Sequence, residues 1–446
     1  MLFRQFVDDD LGCASYLVGD EDSGEAVVVD PAYEIDQYLR EAERQRVGIL
    51  RVLETHTHAD HVSGHGRFAL DQGIGVAIHR AAEPEYDFEP LADGQTLELG
   101  SIAVTVLHTP GHRPEHCCFV VADRTRSEEP WLVLTGDSLL VGDAARPDLA
   151  VAAREGSEGL FDSLQRLAGL GDGVEVYPGH VAGSLCGAGM SSKPSSTIGY
   201  ERRSNAALAA ADIGEFVAAQ LSVSTPRPPN MDRIVELNRG AFLGAPAQLR
   251  PVQSADGGAV LDVRPAREFG AGHVPGAVNV PADSSSFGTK AAFLLGADTP
   301  IVLHARSAEE ADVAARKLRA VGLLELRGYL VDPPTPERME AVGLDELAAR
   351  LDHDEVVLVD VREKDERDAG YIPGSVHIPY RQSAARAEDL RGGKPVVTIC
   401  ESGARATVAA SVLAAGGVDA RPVLDAGVSA WRAAGRPVVE FRRCGS

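Results

Sequence analysis

Apolar residues recur in short runs broken by glycine, proline and charged turns across roughly the first 245 positions. Residues 11–17 and 25–30, the second holding Ala26-Val27-Val28-Val29, read as paired strands around a turn at 19–24. Residues 35–45 carry helical spacing, and 49–54 form a buried strand. A helix near 64–71, a short strand at 76–79, a β-rich run over 97–107 and apolar strands at 131–134 and 174–177 follow. An alanine-rich helix is expected at 205–221. After it come a segment with three prolines, 222–230, and a short helix at 231–240, and this composition marks the end of a first domain.

Beyond that boundary the chain repeats itself. Leu261-Asp262-Val263-Arg264 recurs as Val359-Asp360-Val361-Arg362, and Gly272-His273-Val274-Pro275-Gly276 recurs as Gly370-Tyr371-Ile372-Pro373-Gly374. Such self-similarity predicts two copies of one domain, and the alternation of strand and helix in each predicts a small parallel-sheet α/β fold. The expected organisation is 1–245, 247–332 and 343–441, a multidomain α/β and α+β chain.

Composition narrows the class. Over 446 residues, 44% are hydrophobic and 24% charged, which is globular. The 43 basic and 66 acidic residues leave a formal charge of -23, with no basic stripe, so no nucleic-acid partner is expected. No run approaches membrane-spanning length, and Asp8-Asp9-Asp10 interrupt any apolar leader, so a cytoplasmic enzyme without a membrane partner is expected. The six cysteines, at 13, 117, 118, 186, 400 and 444, are too irregular for a disulfide framework.

The chemistry lies at predicted strand ends. The strand at 49–54 runs into Thr55-His56-Thr57-His58-Ala59-Asp60-His61, three imidazoles and a carboxylate in seven residues. Later strands end in His108-Thr109-Pro110-Gly111-His112, Thr135-Gly136-Asp137 and Pro178-Gly179-His180. Imidazole nitrogen and carboxylate oxygen suit zinc, iron or manganese, and the adjacent glycines permit the sharp turns such a centre requires. His65, His79, His108 and His116 sit on apolar segments and read as structural histidines. Cys117 and Cys118 read as small buried hydrophobes.

These four motifs resemble the metallo-β-lactamase fold, an αββα sandwich. The segments Gly136-Asp137-Ser138-Leu139-Leu140, 141–149, 182–187 and 196–203 are similar to those of persulfide dioxygenases, and the whole chain resembles the bacterial type fused to rhodanese domains. The resemblance implies one ferrous ion per chain, in preference to zinc, held by His56, His112 and Asp137, with His58, Asp60, His61 and His180 as orienting groups or as a second metal site. A two-histidine, one-carboxylate set leaves positions open for dioxygen and a persulfide sulfur. The resemblance also places Arg146 on the carboxylate of the carrier thiol, which bidentate pairing suits. The stretch after His180 reads Val181-Ala182-Gly183-Ser184, without the substrate-contacting tyrosine of the stand-alone enzymes, so the carrier stays open among glutathione, coenzyme A, mycothiol, bacillithiol and a protein persulfide. Cys186, in the glycine-rich loop that follows, is a candidate for meeting substrate.

The two repeats resemble rhodanese domains. In the second, a strand at 396–399 ends at Cys400, followed by Glu401-Ser402-Gly403-Ala404-Arg405 and a helix at about 406–415. A cysteine there is placed where backbone N–H groups and the helix dipole favour a thiolate that accepts sulfane sulfur. Cys400 is the expected persulfide carrier, with Arg405 in its loop and Glu401, Ser402, Gly403 and Ala404 against the substrate. The first repeat has His304-Ala305-Arg306-Ser307 at the equivalent place, and no cysteine occurs from 187 to 399, so it is expected to be silent. Cys444, in the charged tail, is taken as incidental.

The expected activity is iron-dependent oxidation of a low-molecular-weight thiol persulfide by dioxygen to thiol and sulfite, coupled to sulfane-sulfur transfer among persulfide, sulfite and thiosulfate. A homo-oligomer is expected. All seven positions of a dinuclear site are present, so a two-zinc thioester hydrolase of the glyoxalase II kind is the first rival, and a persulfide relay protein is the second.

Overall fold

A computed structural model describes residues 1–181, 191–222 and 227–440. The chain forms two compact units, Met1–Ala247 with Arg319–Gly322, and Gln248–Leu318 with Leu323–Ser446. Among the described residues no helix is long and apolar enough to cross a membrane. The motif segment at 182–187, with Cys186, and the tail containing Cys444 lie outside the described residues.

In the first unit two six-stranded sheets face each other. One runs in the order Leu2–Val7, Ala14–Asp20, Glu25–Val29, Gly48–Leu53, Gly75–His79, Glu89–Leu91. The other runs Ser196–Thr197, Glu175–Pro178, Leu132–Gly136, Cys117–Asp123, Ile102–His108, Thr96–Leu99. Side chains alternate across each strand, so one strand feeds two cores. Val27, Val29, Phe119 and Val121 point inward and pack between the sheets. Val28, between them, packs outward on Tyr38 and Phe68 from helices Asp36–Gln45 and His65–Gln72. Val120 and Val133 pack outward on Leu160, Leu164 and Leu167 of helix Ala153–Ala168. The result is the four-layer αββα sandwich. The same alternation puts Cys117 in the inner core and Cys118 in an outer one.

Three local expectations change. The edge strand Leu2–Val7, whose partly exposed residues blur its alternation, precedes the strands read from the sequence. The β-run at 97–107 is a hairpin, because Gly100 at φ +55° turns the chain between Thr96–Leu99 and Ile102–His108. The long helix expected at 205–221 is two short ones, Ala206–Ala209 and Ile213–Ser222, preceded by a further helix Ile198–Ser204. Asn205 accepts from the N–H of Ala207 and Asp212 from that of Glu215, and both bonds restart the helix.

The second unit holds two four-stranded parallel sheets of the same order. One is Val278–Asn279, Ala259–Asp262, Ile301–His304, Leu326–Leu330, and the other is Val376–His377, Val357–Asp360, Val396–Ile399, Ala420–Pro422. Their central strands, Ile-Val-Leu-His and Val-Val-Thr-Ile, are buried along their whole length, as strands covered on both faces must be. Helix Ala404–Ala415 begins slightly earlier than its sequence pattern suggests, directly after the left-handed Gly403 at φ +90°.

Candidate metal centre and thiol loop

Strand Gly48–Leu53 delivers the loop that carries His56 into the sandwich edge. Asp30, at the end of the neighbouring strand, accepts the Thr55 N–H at 2.7 Å and the Thr55 hydroxyl at 2.8 Å. With its proton committed to Asp30, the Thr55 oxygen accepts from His56 Nδ1–H at 2.8 Å. That bond assigns the tautomer: the lone pair sits on His56 Nε2, which is buried and has no hydrogen-bond partner. His112 is fixed in the same sense, its Nδ1–H donating to the Arg146 carbonyl at 2.9 Å, because a carbonyl can only accept.

Asp137 is set by its backbone. Gly136 stands at φ +46°, and the Asp137 N–H donates to His116 Nε2 at 3.0 Å. His116 Nδ1–H in turn donates to Thr109 Oγ1 at 2.9 Å. Burial holds His116 neutral, with its pKa lowered to about 3, so it is a histidine that can accept there. Asp137 Oδ1 receives His180 Nδ1–H at 2.6 Å, and Oδ2 is buried without a partner.

Asp137 Oδ2 lies 4.0 Å from His56 Nε2 and 3.6 Å from His112 Nε2, and donors from the three residues lie within 4.8 Å of one another. All three side chains are at most 1% exposed. Burial lowers both histidine pKa values and so keeps their lone pairs available. In Asp137 burial works in the opposite direction, yet the His180 charge and hydrogen bond overcome it and the carboxylate stays ionised. Two neutral imidazoles and one carboxylate converging at a buried point, with His56 Nε2 and Asp137 Oδ2 unpaired, fit a divalent metal ion.

The other loop residues form two separate groups. His58 Nε2 lies 3.1 Å from Glu54 Oε2 and 3.3 Å from Asp30 Oδ1, and these carboxylates raise its pKa against the effect of burial. Asp60 lies between His61 Nδ1, 3.3 Å from its Oδ1, and His180 Nε2, 2.6 Å from its Oδ2, with Cys13 Sγ 3.1 Å from the latter oxygen. Asn238, on helix Met231–Arg239, donates to the carbonyls of His58 and His61 and accepts the Ser63 N–H. The short helix expected only to mark the end of the first domain thus pins the ligand loop.

In the second unit Cys400 is 1% exposed at the end of its strand, and the Gly403 N–H donates to Sγ at 3.1 Å. Arg405 is held by both oxygens of Glu366, at 2.6 and 2.7 Å. Glu401 accepts from Arg362 and from the Ser429 N–H, while Ser402 is exposed and Ala404 half-buried. Gly427 packs so closely that a Cβ there would stand 2.3 Å from the Cys400 carbonyl. In the cysteine-less repeat His304 takes the strand end, with Nδ1 3.0 Å from Asp262 Oδ2, and Arg264 pairs with the same carboxylate.

Residues 8–180 match the family model for the metallo-beta-lactamase superfamily, and residues 246–330 and 343–434 each match the rhodanese-like domain. The chain is 30% identical over 251 residues to the mitochondrial persulfide dioxygenase ETHE1 of Bos taurus, an alignment covering 55% of this chain and 91% of that protein. The chain belongs to the persulfide dioxygenase family. The Homo sapiens persulfide dioxygenase is 29% identical over 244 residues, covering 53% of this chain and 87% of its own. A Staphylococcus aureus crystal structure titled metallo-beta-lactamase superposes with a TM-score of 0.68 at 28% identity, over 74% of this chain and 98% of its own. This persulfide dioxygenase homologue therefore carries its family domain first and two rhodanese-like domains after it.

In this persulfide dioxygenase homologue the structure brings His56, His112 and Asp137 together and turns His58 Nε2 to Asp30 and Glu54, with the His58 ring 4.3 Å from that of His56. The Arg146 guanidinium is bidentate on Asp148, at 2.7 and 2.8 Å, while its carbonyl serves His112. His65 lies 3.3 Å from Glu54, and His79 stacks on His108 at 4.0 Å. Burial raises the thiol pKa of Cys117 well above its ordinary value and that of Cys118 to about 12, as inert core cysteines require. Asp30, Thr55, His116, Asn238 and Cys13 escaped the sequence reading of the centre. Asp30-Pro31 directly after three valines was a usable signal for one of them, and Thr55 opens the His-rich motif itself; the others lie in segments with no metal pattern.

Proposed function

We propose that the chain is a bifunctional sulfur-oxidising enzyme, a ferrous persulfide dioxygenase joined to a Cys400 sulfurtransferase. The observation that carries this reading is the convergence of His56 Nε2, His112 Nε2 and Asp137 Oδ2 on one buried point. A ferrous ion held there by His56, His112 and Asp137 would supply the redox chemistry for oxidation of a persulfide sulfur by dioxygen. The balanced reaction is R–S–SH with one dioxygen and one water giving R–SH, sulfite and two protons; four electrons pass from the terminal sulfur to dioxygen.

The protein's own residues have separable tasks. Thr55 and the Arg146 carbonyl keep Nδ1 protonated on His56 and His112, so both present Nε2. His180 keeps Asp137 ionised and aimed, and stands ready to hold a proton between Asp137 and Asp60. Arg146 binds the carboxylate of the carrier thiol by exchanging Asp148 for it. In the rhodanese domain the Cys400 thiolate attacks a sulfane sulfur, the donor's S–S bond breaks, and thiol or sulfite leaves with the electron pair. The Gly403 N–H and the N-terminus of a 12-residue helix stabilise the charge on Sγ. The cysteine-less repeat transfers no sulfur.

A second reading has its own observation. His58 Nδ1 and His61 Nε2 are also buried without partners, as donors to a two-zinc hydrolase would be. One experiment separates the two: oxygen uptake by ferrous-loaded protein supplied in turn with glutathione, coenzyme A and mycothiol persulfides, with sulfite and thiosulfate quantified and metals counted. Uptake with about one iron per chain supports the dioxygenase and names its carrier. Two zincs without uptake support the hydrolase.

A further inference from the structure

The charges around the Cys400 loop bear on which sulfur donor it takes. Every nitrogen of the buried Arg362 side chain is engaged. Nε and Nη2 donate to Asp360 at 2.9 and 2.7 Å, Nη2 also to the Gly370 carbonyl at 2.7 Å, and Nη1 to Glu401 Oε1 at 2.7 Å. The Ser429 N–H holds the other Glu401 oxygen at 3.1 Å. Arg405 gives both Nη atoms to Glu366. Its pKa is raised, first by those hydrogen bonds, against the effect of burial, and also by the Cys400 charge, so the guanidinium stands within electrostatic reach of the sulfur. Tyr380 lies within reach of Arg405 and Arg381 alike, and Arg381 is paired with Glu363 at 3.1 Å. Three guanidinium groups thus meet four carboxylates.

Glu366 is fixed from a second side. It lies in the first turn of helix Lys364–Asp368, where its Oε2 also receives the Glu363 N–H at 3.2 Å and the Glu363 side chain answers the Glu366 N–H, a capping box. Asp148, by contrast, is an exposed carboxylate two residues from its arginine, open to replacement by an incoming carboxylate. Of the three guanidinium groups around Cys400, none is left for a small oxyanion.

The possible donors differ in charge. With thiosulfate, the Cys400 thiolate attacks the outer sulfur of a dianion and sulfite leaves as a dianion, so three negative charges gather in the transition state. With a neutral organic persulfide, Cys–S⁻ and R–S–SH give Cys–S–SH and R–S⁻. The donor's S–S bond breaks as the new one forms, the proton stays on the transferred sulfur, and a single negative charge is shared throughout. We propose that Glu366 is a specificity-determining residue which, by holding Arg405, makes Cys400 an acceptor of sulfur from organic persulfides and a poor acceptor from thiosulfate. This inference rests on the sulfurtransferase reading above and narrows its donor to the chemical class proposed for the metal centre.

The test is anaerobic single turnover of the full-length protein, with thiosulfate or the uncharged persulfide of mercaptoethanol as donor and the gain of one sulfur at Cys400 followed by peptide mass spectrometry. The persulfide should react at least about tenfold faster. Glu366→Gln keeps an oxygen for the Glu363 N–H, so the capping box survives, and it should lower the persulfide-to-thiosulfate rate ratio at least about tenfold. Glu366→Asp, which keeps the charge, should hold the ratio near its wild-type value. Thiosulfate reacting as fast as persulfide in the wild type, or a ratio unmoved in Glu366→Gln, overturns the role of Glu366 and leaves the sulfurtransferase standing. Sulfur taken by Cys400 from neither donor removes the sulfurtransferase reading and this inference with it. Should Glu366→Gln misfold, the wild-type thiosulfate rate decides: it should rise with ionic strength because salt screens repulsion, and a fall would show that a cation receives the anion.

Discussion

The Nδ1–H of His112 donates to the main-chain carbonyl of Arg146 across 2.9 Å, so one residue serves the centre through its backbone and keeps its side chain for another task. Arg146→Ala should therefore leave metal content unchanged. For a carrier persulfide that bears a carboxylate, KM should rise about tenfold with kcat little altered, the signature of lost uniform binding. Unchanged steady-state constants would remove Arg146 from the substrate site.

The two proposed activities reside in separate units, and single substitutions should separate them. Cys400→Ser is expected to abolish sulfur transfer and leave oxygen uptake largely intact. His112→Ala is expected to do the reverse, with loss of bound metal. Transfer that survives in Cys400→Ser would mean another thiol carries the sulfur.

Gly136 is required by space as well as by conformation. A Cβ there would stand 2.7 Å from His116 Nε2 and 2.8 Å from Thr55 Oγ1, at φ +46°. Gly136→Ala should cost about 1–3 kcal/mol and displace both Asp137 and the support of His56. Urea denaturation and metal analysis of the same preparation should fall together; a stable variant with full metal content would contradict this account.

Asn238 makes three hydrogen bonds to the ligand loop while 4% exposed. Truncation to alanine strands two carbonyls and one N–H, and a loss of about 2–4 kcal/mol is expected. Because the bonds hold the backbone on either side of Asp60, metal affinity should drop with stability. A purely stabilising helix would lower the denaturation midpoint alone.

His79 supplies a pH dependence. Burial, then the neighbouring His108, lowers its pKa from an ordinary 6.5 to about 4. The folded protein keeps this ring neutral while the unfolded chain takes up a proton below about 6.5, so stability is lost as pH falls from there toward 4 and no further loss follows below. His79→Gln should flatten that slope, by about 1–2 kcal/mol between the two ends, as read from urea midpoints at several pH values. Parallel slopes in both proteins would assign the acid loss to other groups.

Much was legible in the sequence because it depends on order along the chain. Short apolar runs gave the strands, and their termini carried His56, His112, Asp137 and His180; the repeated Asp-Val-Arg and Gly-x-x-Pro-Gly segments announced two like folds, and the interval without cysteine between Cys186 and Cys400 set one of them apart as lacking a thiol. These are local patterns, and local backbone preference together with burial determines them. Which nitrogen of each histidine faces the centre was not legible. That choice rests on Asp30, Arg146 and Glu54, whose approach to His56, His112 and His58 depends on sheet pairing and loop closure. Nor could spacing join Cys13 to His180, which stand 167 positions apart and meet through a two-residue bridge between strand ends. Tertiary structure decided these matters because a side chain's tautomer, charge and aim are set by whatever it touches, and the chain brings those partners from far away.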